Sequence, residues 1–324
     1  MKKRIGAIVA LLIWGGTSCT TSTPSTSSST PSTLSGSSTA TAGSVSFAPY
    51  VTVSSPGNYD MAATAEATGT DRFTLGFVVS DGGCAAKWDG TDGLANPSLD
   101  KRISALRSAG GDIGVSFGGQ DGSELALACD STGELAAAYA TVIDRYDLTE
   151  ADFDIEGGAL TDTAANTRRA KAITQLQKEA TAEGHTPDIS FTLPAMPDGL
   201  TADAVAFLKN AEANGVDISA VNIMAMDYGS EYTGDMGGYA IRAATAAQAQ
   251  LKSILGLSDT AAWQTLAVTP MIGVNDITTE VFRVSDAEQL AAFAARKGLG
   301  RLSMWSADRD TSSLGFTRAM AGDS

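Results

Sequence analysis

From Val45 onward the chain alternates eight short apolar runs with Ala-rich helical stretches. The strand candidates are 45–51, 73–79, 113–117, 151–156, 189–193, 220–226, 265–271 and 301–305. Segments with helical character lie between them, at 97–108, 133–145, 166–182, 202–213, 238–254 and 285–297. Strands separated by helices are joined in parallel, because a parallel pair needs a long crossover and a helix supplies it. Eight such units suit a closed cylinder, whose usual size is about 250 residues. The expected fold class is therefore α/β, a single (β/α)8 TIM barrel filling residues 45–324. An open, doubly wound sheet is the alternative. No G-x-G-x-x-G follows the first strand candidate, which disfavours its dinucleotide-binding version.

The run Ala151-Asp152-Phe153-Asp154-Ile155-Glu156 places a carboxylate at every second position. On a β-strand that period puts Asp152, Asp154 and Glu156 on one face, and Phe153 and Ile155 on the other. Like charges on one face disfavour each other's ionisation. The arrangement makes sense if one carboxyl has to remain protonated near neutral pH and act as an acid.

Composition narrows the partner. The formal net charge is -15 and no basic cluster breaks it, so nucleic acid is not expected and an uncharged polymer or small molecule is. The single histidine, His185, rules against multi-His zinc sites and a Ser-His-Asp triad; it reads as a solvated imidazole in a loop. No metal or other cofactor is expected.

The first 18 residues read as an export signal. Lys2, Lys3 and Arg4 precede the apolar run 5–14, which is short for a bilayer span, and small residues lead to Cys19. That pattern resembles a bacterial lipoprotein box with Gly16 where Leu usually stands, so Cys19 is the expected lipidation site; ordinary signal cleavage is the alternative. Residues 19–44 are almost entirely Ser, Thr, Pro, Gly and Ala and read as a disordered tether. The protein is expected outside the cell, as a monomer, held to the membrane only by its lipid. Cys84 and Cys129 are then an even pair in an oxidising compartment and are expected to form a disulfide.

In a barrel, chemistry gathers at the C-terminal ends of the strands. The third candidate ends Ser116-Phe117-Gly118-Gly119, the fourth carries the acid triplet, the sixth ends Met224-Ala225-Met226-Asp227-Tyr228, and the eighth ends Ser303-Met304-Trp305. Acids, a phenol and a flat indole on one rim suit a sugar ring. With these four elements in order, residues 45–310 resemble glycoside hydrolase family 18, the chitinases and their relatives. The longer form of the fourth-strand signature begins Asp-Gly, where this chain has Thr149 and Glu150; the three acids are intact.

The resemblance implies substrate-assisted, retaining hydrolysis of N-acetylglucosamine polymers. Glu156 would be the general acid and then the base, Asp154 would orient the substrate's acetamido group, and Asp152 would share a proton with Asp154. Tyr228 and Asp227 would hydrogen-bond the acetamido group and sugar, and Trp305 would form the floor. Met224 and Met226 read first as packing, with Met226 also a sugar contact. Gly118 and Gly119 serve a tight turn or let the backbone approach the sugar. Trp88 reads first as a loop or packing residue, with an outer sugar contact as its second reading; Tyr50, at the end of the first strand candidate, is similar. Some relatives carry an α+β subdomain before the last strand. Only about 30 residues separate Met271 from Arg301, roughly one βα connection, so no such insertion is expected and the cleft should be open. The alternatives are an endo-β-N-acetylglucosaminidase acting on N-glycans and a non-catalytic chitin-binding lectin.

Overall fold

The computed structural model describes residues 45–54, 59–184, 187–310 and 312–322. The expected signal segment, the tether, Cys19 and His185 lie outside the described residues. Eight strands form the wall. They are β1 in two segments (Ser46–Phe47 and Tyr50–Thr52), β2 (Arg72–Ser80), β3 (Asp112–Gly118), β4 (Glu150–Asp154), β5 (Asp188–Met196), β6 (Ala220–Ala225), β7 (Leu266–Pro270) and β8 (Arg301–Leu302). Each pairs in parallel with the next in sequence. β8 pairs back onto the first segment of β1, which closes the cylinder. The interruption in β1 falls at Ala48-Pro49, and proline has no N–H for the ladder.

A helix follows each strand: α1 (Met61–Thr68), α2 (Pro97–Ser108), α3 (Thr132–Tyr146), α4 (Thr163–Glu183), α5 (Ala202–Ala213), α6 (Met236–Ile254), α7 (Val284–Lys297) and α8 (Gly315–Ala321). Local chemistry sets their starts. Asn96 caps α2 ahead of Pro97, and Ser131 with Glu134 forms a reciprocal capping box on α3. The helices α1 and α8 escape the sequence reading because they are short. α1, with the sequence MAATAEAT, is fixed at its ends by the Asp60 cap and a left-handed Gly69, not by an apolar stripe.

The alternation in β4 separates two environments. Phe153 points outward and stacks on Phe117 of β3, 5.1 Å between ring centroids. It also meets Tyr139 of α3 edge-on, at 5.0 Å. On the next strand Phe191 meets Phe207 of α5 at 4.9 Å. Burying each such ring contributes roughly 1.5–3 kcal/mol and anchors the helices on the cylinder. The opposite faces of the same strands turn polar groups into the barrel.

Between β7 and α7 the chain forms only a two-stranded antiparallel hairpin, Gly273–Val274 with Val281–Phe282, and no α+β subdomain. Cys84 and Cys129 form a disulfide joining the loops after β2 and β3. Trp88 is a packing residue and not an outer sugar contact. It sits on a short strand, Ala86–Trp88, paired antiparallel to β2. There it is fully buried, with its indole N–H donating to the Tyr146 hydroxyl at 2.8 Å. Packing has consumed its surface, so it lines no sugar subsite. At the N-terminal end of the barrel, Arg301 and Glu150 form an ion pair beside a polar cavity of about 210 Å³. That face of such barrels serves stability.

Candidate active site

Asp152 lies inside the barrel with both carboxyl oxygens occupied. Tyr50 and Ser116 donate to Oδ2 at 2.8 and 2.6 Å, and Ser190 and Thr192 donate to Oδ1 at 2.5 and 2.9 Å. Strand register produces this cage, because Ser116 and Ser190 are the direct neighbours of Asp152 on β3 and β5. Asn222 of β6 extends it: its side-chain N–H donates to Thr192 at 3.0 Å, and its oxygen accepts from Thr269 of β7 at 2.8 Å. Tyr50 therefore holds an acid, not a sugar; it is 3% exposed. Burial and the negative fields of Asp152 and Asp154 hold its phenol pKa well above the ordinary value.

One register step up, Asp154 is also buried, but its Oδ1 has no hydrogen-bond partner. Burial, then the charges of Glu156 and Asp152, raise its pKa well above the usual carboxylate range. A proton on that carboxyl lets it donate to an incoming acceptor. Glu156 stands two residues on, just past the end of β4. Its backbone is still extended (φ -141°, ψ 177°), and it precedes a short helix, Gly157–Thr161. It is only half-buried and opens toward solvent. Burial, then Asp121 and Asp227, push its carboxyl up to about 6.

Gly118 pairs directly with Asp154, and a side chain there would collide with the Asp154 carbonyl oxygen. A Cβ on Gly119 would stand 2.8 Å from the Phe77 ring. The two glycines thus admit the backbone of β4 and an aromatic ring, which fixes the mouth of the site. Phe77 in turn stacks on Trp305, 5.4 Å between centroids and 23° between planes, and Tyr50 meets Trp305 edge-on at 5.9 Å. Trp305 is half-buried, so part of its indole remains open.

At the end of β6, Met224 and Met226 are half-buried. Asp227 is half-buried too, in a left-handed conformation, and its Oδ1 accepts the Ile277 N–H at 2.8 Å. Burial raises its pKa, opposed by that N–H. Tyr228 is buried; its hydroxyl, like Oδ1 of Asp154, has no protein hydrogen-bond partner, and its ring packs on Tyr232 and Tyr239. Of the pair, Asp227 is the more exposed.

The structure thus brings Asp152, Asp154, Glu156, Asp227 and Trp305 to one end of the cylinder. Sequence reasoning missed Phe77, hidden in the continuous apolar run of β2, and Asp121, an exposed acid just beyond Gly118-Gly119. It also missed the interior hydroxyls of β5. Strand-end position could have flagged the first two. Among the described residues no group of three or more His, Cys, Asp or Glu is placed to hold a metal ion.

No family model matches the chain. It is 38% identical over 275 residues to a probable bifunctional chitinase/lysozyme of Escherichia coli (strain K12), covering 82% of this chain and 31% of that protein. It is 37% identical over 276 residues to Endochitinase 11 of Metarhizium anisopliae, covering 82% of this chain and 52% of that one. The chain thus spans about a third to a half of the length of these curated relatives. Among solved structures, the catalytic domain of a hyperthermophilic chitinase from Pyrococcus furiosus aligns with a TM-score of 0.76 and 32% identity, covering 86% of this chain and 94% of that one. A GH18 chitinase from Pseudoalteromonas aurantia, at 16% identity and TM-score 0.58, shares the fold. The barrel and these likenesses together show that the chain belongs to glycoside hydrolase family 18, the chitinase family.

Proposed function

We propose that this protein hydrolyses β-1,4 bonds between N-acetylglucosamine units of chitin or its oligomers, by substrate-assisted retaining catalysis. The observation that carries the reading is the graded acid series on one extended segment: Asp152 caged by hydroxyls, Asp154 buried with a free oxygen, and Glu156 at the opening with its pKa lifted to about 6. Glu156 protonates the glycosidic oxygen as the bond to the anomeric carbon breaks. The substrate's acetamido oxygen attacks that carbon from the other side, giving an oxazolinium ion. Asp154 passes its proton toward Asp152; as a carboxylate it then accepts the acetamido N–H, and its negative field offsets the growing positive charge. Glu156, now ionised, takes a proton from water, which opens the oxazolinium ion. Asp227 binds the sugar and Trp305 forms the floor.

The absence of a subdomain in the β7–β8 connection supports a shallow cleft and internal cutting. The export-signal pattern of residues 1–18 and Cys19 support an extracellular, lipid-tethered protein, which we take to be a monomer. Turnover of a fluorogenic chitobioside compared with release of glycans from an N-glycoprotein tests the substrate class. Chitobioside cleavage alone supports chitinase action, glycan release alone points to an endo-β-N-acetylglucosaminidase, and binding without turnover of either sinks hydrolysis. Predominant disaccharide release from chain ends in the first turnovers would refute internal cutting.

A pH prediction follows from Glu156. The reaction needs its carboxyl protonated, so kcat/KM should fall as pH rises through about 6. A pH–rate profile on a soluble oligomer checks this; a profile flat from pH about 5 to 8 would contradict the assignment.

A further inference from the structure

The turn after β6 is strained and held from outside. Asp227 has φ +49°, a conformation that costs a non-glycine residue about 1–3 kcal/mol and persists only where surrounding structure enforces it. The hairpin between β7 and α7 does so. Glu280, fully buried just ahead of the second hairpin strand, accepts the Gly229 N–H on Oε1 at 2.8 Å. The N–H groups of Tyr228 and Asp227 also face it, and oppose the rise in its pKa that burial causes. Its own backbone is pinned: its N–H donates to the Ile277 carbonyl at 2.8 Å, and its carbonyl accepts from Asn275 at 3.0 Å. The other carboxyl oxygen, Oε2, is buried without a partner. A buried acid with one unmet oxygen is costly, and the proton chemistry above makes no use of it.

We propose that Glu280 is a positioning residue, which gathers the Asp227–Gly229 backbone and so aims the Asp227 carboxyl into the mouth of the site. This rests on the reading of Asp227 as a sugar-facing group in the hydrolysis proposed above. Ile277 completes the hold by donating to the Asp227 side chain from the same hairpin. The charges around Asp227 are Asp276 of the hairpin, Arg309 after β8, Glu280 itself and, across the mouth, Glu156. Those around Glu156 are Asp121, Asp154 and Asp227.

The test compares Glu280→Ala with Glu280→Gln in the full chain, on a soluble chito-oligosaccharide, with thermal unfolding run alongside. Glu280→Ala is expected to lower kcat roughly 10–100-fold through misplacement alone. Its basic limb in kcat/KM should move to lower pH, because a displaced Asp227 no longer lifts Glu156. Glu280→Gln keeps an oxygen for the Gly229 N–H and should recover most of the lost kcat. If Glu280→Ala does not fold, Glu280→Asp keeps the charge, shortens the reach by one methylene and carries the same expectation. Wild-type kcat in the alanine variant overturns the proposal. So does a loss of kcat with an unmoved pH limb and no recovery in the glutamine variant. A wild-type protein that fails to turn over defeats the hydrolase reading itself, and this proposal with it.

Discussion

Glu156→Gln should reduce turnover of chito-oligosaccharides by roughly 10²–10⁴-fold, with KM little changed. Glutamine matches glutamate in size and still accepts and donates hydrogen bonds, so the half-buried position at the end of β4 stays filled. It cannot release a proton to the departing oxygen. The loss should therefore track the leaving group. An activated aryl chitobioside, whose phenolate departs without protonation, should lose less than a natural sugar–sugar bond in the first step. Steady-state kinetics on both substrate types measures the difference. A variant as fast as wild type on the natural bond would end the assignment of Glu156 as the acid.

The second large effect concerns stability. Behind β3 and β4 a buried ion pair joins Glu124 and Arg169 of α4, with 2.5 Å between charged atoms and both side chains almost wholly excluded from water. Tyr139 and the Ala126 N–H also donate to Glu124, each at 2.7 Å, and Arg169 donates to Asn166 at 2.6 Å. Arg169→Ala should destabilise the barrel by about 3–5 kcal/mol, since it strands the carboxylate in a dry site. For a domain of this size that lowers Tm by roughly 6–20 °C. Replacing both partners, as Glu124→Gln with Arg169→Met, should cost less than Arg169→Ala alone, because no lone charge remains. Thermal or urea unfolding of the set checks this. A single alanine variant within about 1 kcal/mol of wild type would show that the pair contributes little.

Much of the fold was legible because its signals are local. The period-two alternation of β4 separates Phe153 from its acid neighbours whatever surrounds the strand. Glycines and caps mark the longer helices in the chain itself. What escaped depends on which strands become neighbours. Tyr50 looked like a rim aromatic because it ends the first strand; its hydroxyl is committed to Asp152, 102 residues away, through the closure of the cylinder. Trp88 left packing and an outer sugar contact both open because it lies near Cys84 in a connection; the short hairpin strand that buries it is too brief to leave a pattern. Tyr228 and Asp227 read as one motif, yet the left-handed backbone at Asp227 sends the two side chains into different surroundings. Glu124 and Arg169 sit 45 residues apart and carry no shared spacing rule. The acid triplet needed only its own strand, and for that reason it was readable.

The cylinder's joint between β8 and β1 is thin. β8 has two residues, β1 is broken at Pro49, and backbone bonds such as those from Ala48 to Leu302 and from Tyr50 to Met304 bridge the gap. Short, sparsely bonded segments open more readily than long ones. Trp305 emerges immediately beyond this joint. A saccharide lying across its indole would shield the outermost bonds of the weakest staves, so that occupancy of the groove also fastens the hoop.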